Sequence, residues 1–214
     1  MSLASTSRPY HHGRLRAALV DAGVALAQTE GPEAVVLRAA ARAAGASHNA
    51  ASRHFADRDE LLRAVCERCM CKLATLKEQR IAAAAADPDP VEFAWARLGA
   101  LGRAYVEFAT TEPGWFRTAF AVPRTTHSFA PGEGVGAGGL GPYDLLAARL
   151  DELVDAGAMT PQRRPGAEYA AWSAVHGLAT LVNDGPLRDL PAAEREHALR
   201  SVLDVVSQGL RAGP

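Results

Sequence analysis

The break at Gly45-Ala46-Ser47 constrains this chain more than any other feature of its sequence. Before it, Leu37, Ala40, Ala41 and Ala44 recur at helical spacing; Gly45 can take the positive φ that ends a helix, and Ser47 is a suitable N-cap for the next one. Two short helices around such a turn make a helix-turn-helix. The second carries Ser47, His48, Asn49, Ser52 and Arg53 on its polar side, while Ala46, Ala50, Ala51 and Phe55 supply packing. Those polar groups hydrogen-bond to base edges and phosphates, so the spacing implies double-stranded DNA as a partner.

The flanking residues make the motif more specific. Tyr10-His11-His12-Gly13-Arg14-Leu15-Arg16 opens a helix running to Glu30-Gly31-Pro32, and Arg53-His54-Phe55-Ala56-Asp57-Arg58-Asp59-Glu60-Leu61-Leu62 closes the module. Over roughly residues 10 to 75 this pattern resembles the TetR family of transcriptional regulators. The resemblance implies that the helix over 47–55 enters the major groove, with His48 and Asn49 reading bases. Ser47, Ser52, Arg53, His54, Arg38 and His12 then lie at or near DNA, and Arg58 stands where the family usually has a phosphate-gripping Lys. Two positions depart from the family pattern. Ser52 replaces a Tyr that contacts the DNA backbone, and Val36 replaces a Thr or Ser that caps the second helix.

Charge is distributed as a DNA-binding front would require. Net charge is only −1, yet residues 1 to 80 hold 12 Lys/Arg against 8 Asp/Glu and residues 81 to 214 hold 11 against 16. With 48% hydrophobic residues the chain has enough apolar material for a substantial core. It shows neither an apolar run of membrane-spanning length nor a signal core near Met1, so a cytoplasmic protein with no membrane partner is expected.

No alternating strand pattern is convincing anywhere, and the fold expected is all-α with about nine helices. Residues 1–9 read as a flexible arm, 10–57 as a three-helix DNA-binding bundle, 58–86 as a connecting helix, and 87–214 as a ligand-binding and dimerisation domain. Asp87-Pro88-Asp89-Pro90 ends the connecting helix, and Thr111-Glu112-Pro113-Gly114 ends the next. The Gly- and Pro-rich stretch 123–142 favours a mobile loop over regular structure.

Cys66, Cys69 and Cys71 crowd one stretch, but three thiols on one helix cannot converge on an ion. Cys66 and Cys69 fall within the stripe of Leu62, Val65, Leu73 and Leu76, and Cys71 points nearly opposite; no metal or cofactor is expected. Trp172 and His176 share a helix face, and the string Trp172-Ser173-Ala174-Val175-His176-Gly177 resembles an element of one TetR C-terminal subgroup. Gly177 in mid-helix suggests close approach of another helix or a ligand. With Trp172 and His176, the aromatics Trp95, Tyr105, Phe108, Trp115, Phe116 and Phe120 are candidates to line a pocket for a small apolar or aromatic effector. Leu199, Val202, Leu203, Val206 and Leu210 give the last helix a stripe suited to a homodimer interface, which would place two recognition helices on a pseudo-palindrome.

The expected protein is therefore a ligand-responsive regulator, most simply a repressor, with no enzyme chemistry. Two alternatives stay open. The chain could be a TetR-fold small-molecule binder with weak or lost DNA binding, as Ser52 and Val36 would allow, or a regulator sensing oxidants through Cys66 and Cys69.

Overall fold

The computed structural model describes residues 9–122 and 134–211, with side chains from Gly13 onward. The expected arm before Pro9, and the part of the expected loop over 123–133, lie outside the described residues. Among the described residues there are nine α-helices and no strand. The all-α expectation is thus met, and the chain groups into two compact units.

The first unit comprises residues up to Cys69 together with 114–124. Its elements are α1 (Pro9–Glu30), α2 (Leu37–Ala43), α3 (His48–Ala51), the start of α4 (Arg58–Ala82) and α6 (Pro113–Ala119). α1 ends where Gly31 turns to a φ of 85° and Pro32 begins a short 3-10 turn. α2 and α3 pack on α1, and Leu19, Val35, Phe55, Leu61 and Val65 are fully buried. Each such side chain contributes about 1.5–3 kcal/mol of transfer free energy. α6 completes this core: Trp115 Nε1 donates to the Val24 carbonyl at 2.9 Å, and the Cys66 thiol donates to the Thr118 carbonyl at 2.9 Å.

The second unit comprises residues 70–113 and those from 125 onward. It contains the rest of α4, α5 (Pro90–Thr111), α7 (Pro142–Asp155), α8 (Ala167–Asn183) and α9 (Ala192–Leu210). α5 starts with Pro90 at its first position and the Asp89 carboxylate accepting from Val91 N, and it packs against α7, α8 and α9. Leu150, Leu153 and Met159 are fully buried in this core. Arg164 ties α7 to α8, donating to the Asp151 and Glu168 carboxylates and to the Ala147 carbonyl.

α4 stops at Ala82, four residues short of the expected end. Ile81 is its last buried residue, and of the five alanines after it only Ala84 is even partly covered. Helix propensity without burial does not hold the final turn once Asp87-Pro88 follows.

Candidate functional site

In the first unit the helix-turn-helix is closed by local hydrogen bonds. Gly45 adopts a φ of 67°, its amide bonds to the Arg42 carbonyl, and Ala46 N reaches the Ala41 carbonyl at 2.9 Å. The Ser47 hydroxyl accepts from Ala50 N at 3.1 Å, which makes it the N-cap expected from sequence. α3 is only His48–Ala51, shorter than the helix anticipated over 47–55. Beyond Ala51 the chain tightens: the Ala51 carbonyl accepts from both His54 N and Phe55 N, and the Ser52 hydroxyl turns back to the His48 carbonyl at 3.0 Å.

His48, Asn49 and Arg53 are exposed on this short helix and the turn after it, and Arg38 is exposed on α2. His54 is half-buried, while His12 falls outside the described side chains. Val36 is the residue before α2 and supplies no side-chain cap, as its apolar side chain dictates. Arg58 is partly committed already. Its guanidinium donates to the Pro32 carbonyl at 2.8 Å and faces Asp59 at 3.9 Å, so it braces the end of α1 against the start of α4. The Asp57 carboxylate accepts from Glu60 N at 2.8 Å and the Glu60 carboxylate accepts from Ala56 N at 2.7 Å, which together cap the start of α4.

In the second unit three of the expected pocket residues form one hydrogen-bonded chain. Trp172 Nε1 donates to the Tyr105 hydroxyl at 3.1 Å, and that hydroxyl lies 2.7 Å from His176 Nδ1. Burial lowers the His176 pKa, which favours neutral imidazole with Nδ1 accepting from the Tyr105 O–H. Burial also raises the Tyr105 phenol well above its ordinary range, against the bond from Trp172 that lowers it. Beside them is a group that the sequence reading missed, Lys77 of α4. It is buried, its Nζ donates to the Pro142 carbonyl at 3.0 Å, and it lies 5.2 Å from the centroid of the Tyr105 ring. Burial brings its pKa from 10.5 down to about 7. Lys77 lies four residues after Leu73 and four before Ile81, both buried, and a Lys within such a stripe was the available signal.

These groups border a small cavity of about 30 Å³, whose walls include Lys77, Tyr105, Trp172, Leu101, Leu203 and Val206. A larger groove of about 360 Å³ opens to solvent among α5, α8 and α9; of its charged groups Arg103 pairs with Glu196 at 2.8 Å, and Glu107 pairs with Arg80 outside it. Of the other expected pocket residues, Trp95 and Phe108 are buried in α5. Trp115, Phe116 and Phe120 belong to the first unit, where Trp115 is bonded to α1 and Phe116 meets Phe120 edge to face.

The apolar stripe of α9 is partly consumed within the chain, with Leu203 and Val206 still half-buried. Leu199 and Leu210 are buried, Leu203 presses on Gly102 of α5, and Val206 packs into the core; Val202 is half-buried. What α8 and α9 leave exposed is Tyr169, Leu181 and Val205. Gly177 faces open space: among the described residues nothing lies within 4 Å of where a Cβ would stand, and none makes the close approach inferred for it.

Cys66 and Cys69 are buried and Cys71 is partly exposed, as the helical phase required. Among the described residues no cluster of His, Cys, Asp or Glu could hold a metal ion, and no helix is long and apolar enough to cross a membrane.

A helix-turn-helix unit and a second helical unit, joined by the one long helix α4, have the build of a transcription regulator. Residues 19–65 match the family described as bacterial regulatory proteins of the tetR family, and residues 98–206 match the tetracyclin repressor-like C-terminal domain. The chain belongs to the TetR family. A structure from Rhodococcus sp. RHA1, of unknown function, is 29% identical with a TM-score of 0.72, covering 96% of this chain and 100% of its own. A candidate TetR-family transcription regulator from Shewanella sp. PV-4 is 15% identical with a TM-score of 0.59, covering 93% and 99%. RolR in complex with resorcinol is 15% identical with a TM-score of 0.57, covering 92% and 90%. No curated protein matches the chain.

Proposed function

We propose that this chain is a homodimeric, cytoplasmic, non-enzymatic repressor that binds a pseudo-palindromic operator and is released by a small apolar or aromatic effector. The observation that carries it is the short α3, held by the Ser47 cap and presenting His48 and Asn49 outward at its first turn. The first residues of such a helix reach base edges in the major groove. Arg38 and Arg53, both exposed, would meet phosphates, with Ser47, Ser52 and His54 nearby; Arg58 would share its guanidinium between phosphate and the Pro32 carbonyl. The effector would be held in the second unit around Tyr105, Trp172 and His176. RolR holds resorcinol on a similar fold, which supports a pocket of this kind.

The test is fluorescence-anisotropy binding to DNA upstream of the gene for this protein, at two salt concentrations. Asn49→Ala is expected to cost about 1–3 kcal/mol against the preferred sequence while leaving random-DNA binding and its salt dependence in place. Binding that never exceeds random DNA, including after genome-wide selection, would favour the ligand binder that has lost DNA recognition. The oxidant-sensing alternative has less support, because Cys66 donates its S–H to a buried carbonyl and Cys69 is equally enclosed.

For the dimer, the exposed face of α8 and α9 around Gly177, Leu181 and Val205 is the better candidate surface than the stripe read from sequence. A second copy laid on this face would supply the close approach that Gly177 permits. Val205→Arg is expected to shift sedimentation from dimer to monomer, since it places a charge on a desolvated interface. A variant as dimeric as the parent would place the interface elsewhere.

A further inference from the structure

We propose that the cavity beside Lys77 binds a small organic acid, whose carboxylate takes the Lys77 ammonium while its apolar body lies against Trp172 and the Tyr105 ring. This rests on the second unit being the effector-binding part, and it narrows the effector from apolar to apolar with one acidic group.

Four observations converge on it. An ammonium has three donors, and among the described residues Lys77 gives one of them, to the Pro142 carbonyl. Nζ stands over the Tyr105 ring, a weaker partner than an anion. The remaining walls, among them Leu101, Val175, Leu203 and Val206, are aliphatic and cannot satisfy a charge. A buried amine with no counter-ion among the described residues is costly to retain, and a carboxylate arriving with the ligand supplies one. Neutral His176 and the Tyr105 hydroxyl are occupied with each other and with Trp172, so the Lys77 ammonium is the charged group that selects an acid.

The cavity is smaller than its occupant. An apolar void of ~150 Å³ accepts benzene, against about 30 Å³ here, so the acid must displace part of the wall. Leu203 and Val206 are the side chains that α9 contributes, and Leu203 closes on Gly102 so tightly that a Cβ there would lie 2.6 Å from its Cδ2. Acid binding therefore presses on α9.

The titratable groups facing Lys77 are Tyr105 from α5 and, through it, His176 from α8. α7 offers the Pro142 carbonyl, with the Asp144 carboxylate accepting from Gly141 N, and α9 adds no charged group to the lining. With the Lys77 pKa at about 7, the free protein loses the ammonium proton above that pH. Carboxylate binding must then take a proton up, so affinity falls by up to about tenfold per pH unit above 7.

The probes are benzoate and hexanoate, compared with benzyl alcohol and 1-hexanol at millimolar concentration, read as thermal shifts of the full chain at about pH 6.5 and about pH 8.5. The acids are expected to bind more tightly than their alcohols at the lower pH and to lose at least about tenfold at the higher, while the alcohols change little. Lys77→Met should erase the preference for acids and keep alcohol binding, and Trp172→Phe should weaken acids and alcohols together. Acids binding no better than alcohols, neither class binding, a flat pH profile for the acids, or an acid preference surviving in Lys77→Met would each overturn the proposal. DNA plays no part in this measurement. Failure here leaves the operator-binding test intact, and acid binding by a protein indifferent to operator DNA would remove the regulator while keeping the site.

Discussion

Lys77→Met in the ligand-free protein is expected to be more stable than the parent at pH 7, by about 2–4 kcal/mol, with the gap closing as the pH rises toward 10. The direction follows from proton counting. Burial brings the folded pKa to about 7 against 10.5 for the ordinary group, so between those values the unfolded chain carries a proton that the folded chain lacks. Parent stability therefore climbs with pH through that window and is lowest, with the full burial cost present, at and below about pH 7. Methionine has a similar length, fills the same space and needs no partner; only the bond to the Pro142 carbonyl is lost. Urea denaturation of both proteins across the pH range checks this. A parent whose stability relative to the variant does not change with pH would mean that Lys77 keeps its ordinary pKa in the folded state.

Gly114→Ala is expected to destabilise by about 3 kcal/mol or more. Gly114 sits in the first turn of α6, where an added Cβ would stand 2.2 Å from the Ala27 carbonyl oxygen and 2.3 Å from that of Gln28. Both obstacles are backbone at the end of α1, and a Cβ has no rotamer with which to avoid them. α6 would have to withdraw, stretching the bond from Trp115 Nε1 to the Val24 carbonyl and opening the cover over Phe116. Equilibrium unfolding measures the loss, and a variant within 1 kcal/mol of the parent would mean that this helix is not seated on α1 as described.

Local chemistry was the readable part of this chain. Gly45 and Ser47 each act on the next few residues, so the turn and the N-cap follow from neighbours in sequence. The helical phase of Cys66, Cys69 and Cys71 was equally visible, because it depends on one helix alone. Partnership between distant segments was not visible. α9 offers apolar side chains on more than one face, and the sequence does not say that α5 takes Leu203 while Val205 is left outside. The aromatics of α6 read like those of α5, yet they serve a different core, because Gly114 lets that helix approach α1. Lys77 was hidden by the drift of the stripe along α4. Leu76 continues a seven-residue spacing from Cys69 but is only half-buried, whereas a pitch of 3.6 residues carries Lys77 inward.

The seating of α6 also limits how such a protein can be recombined. The chain passes between the two units three times, since residues 114–124 return to the first after α5 has been laid down in the second. A first unit cut after Cys69 would lack the Trp115 bond to α1, the carbonyl that accepts from Cys66 and the buried side chain of Phe116. Moving this first unit onto a foreign second unit thus requires three splice sites, one at each crossing, and a recipient whose own chain doubles back at the same place.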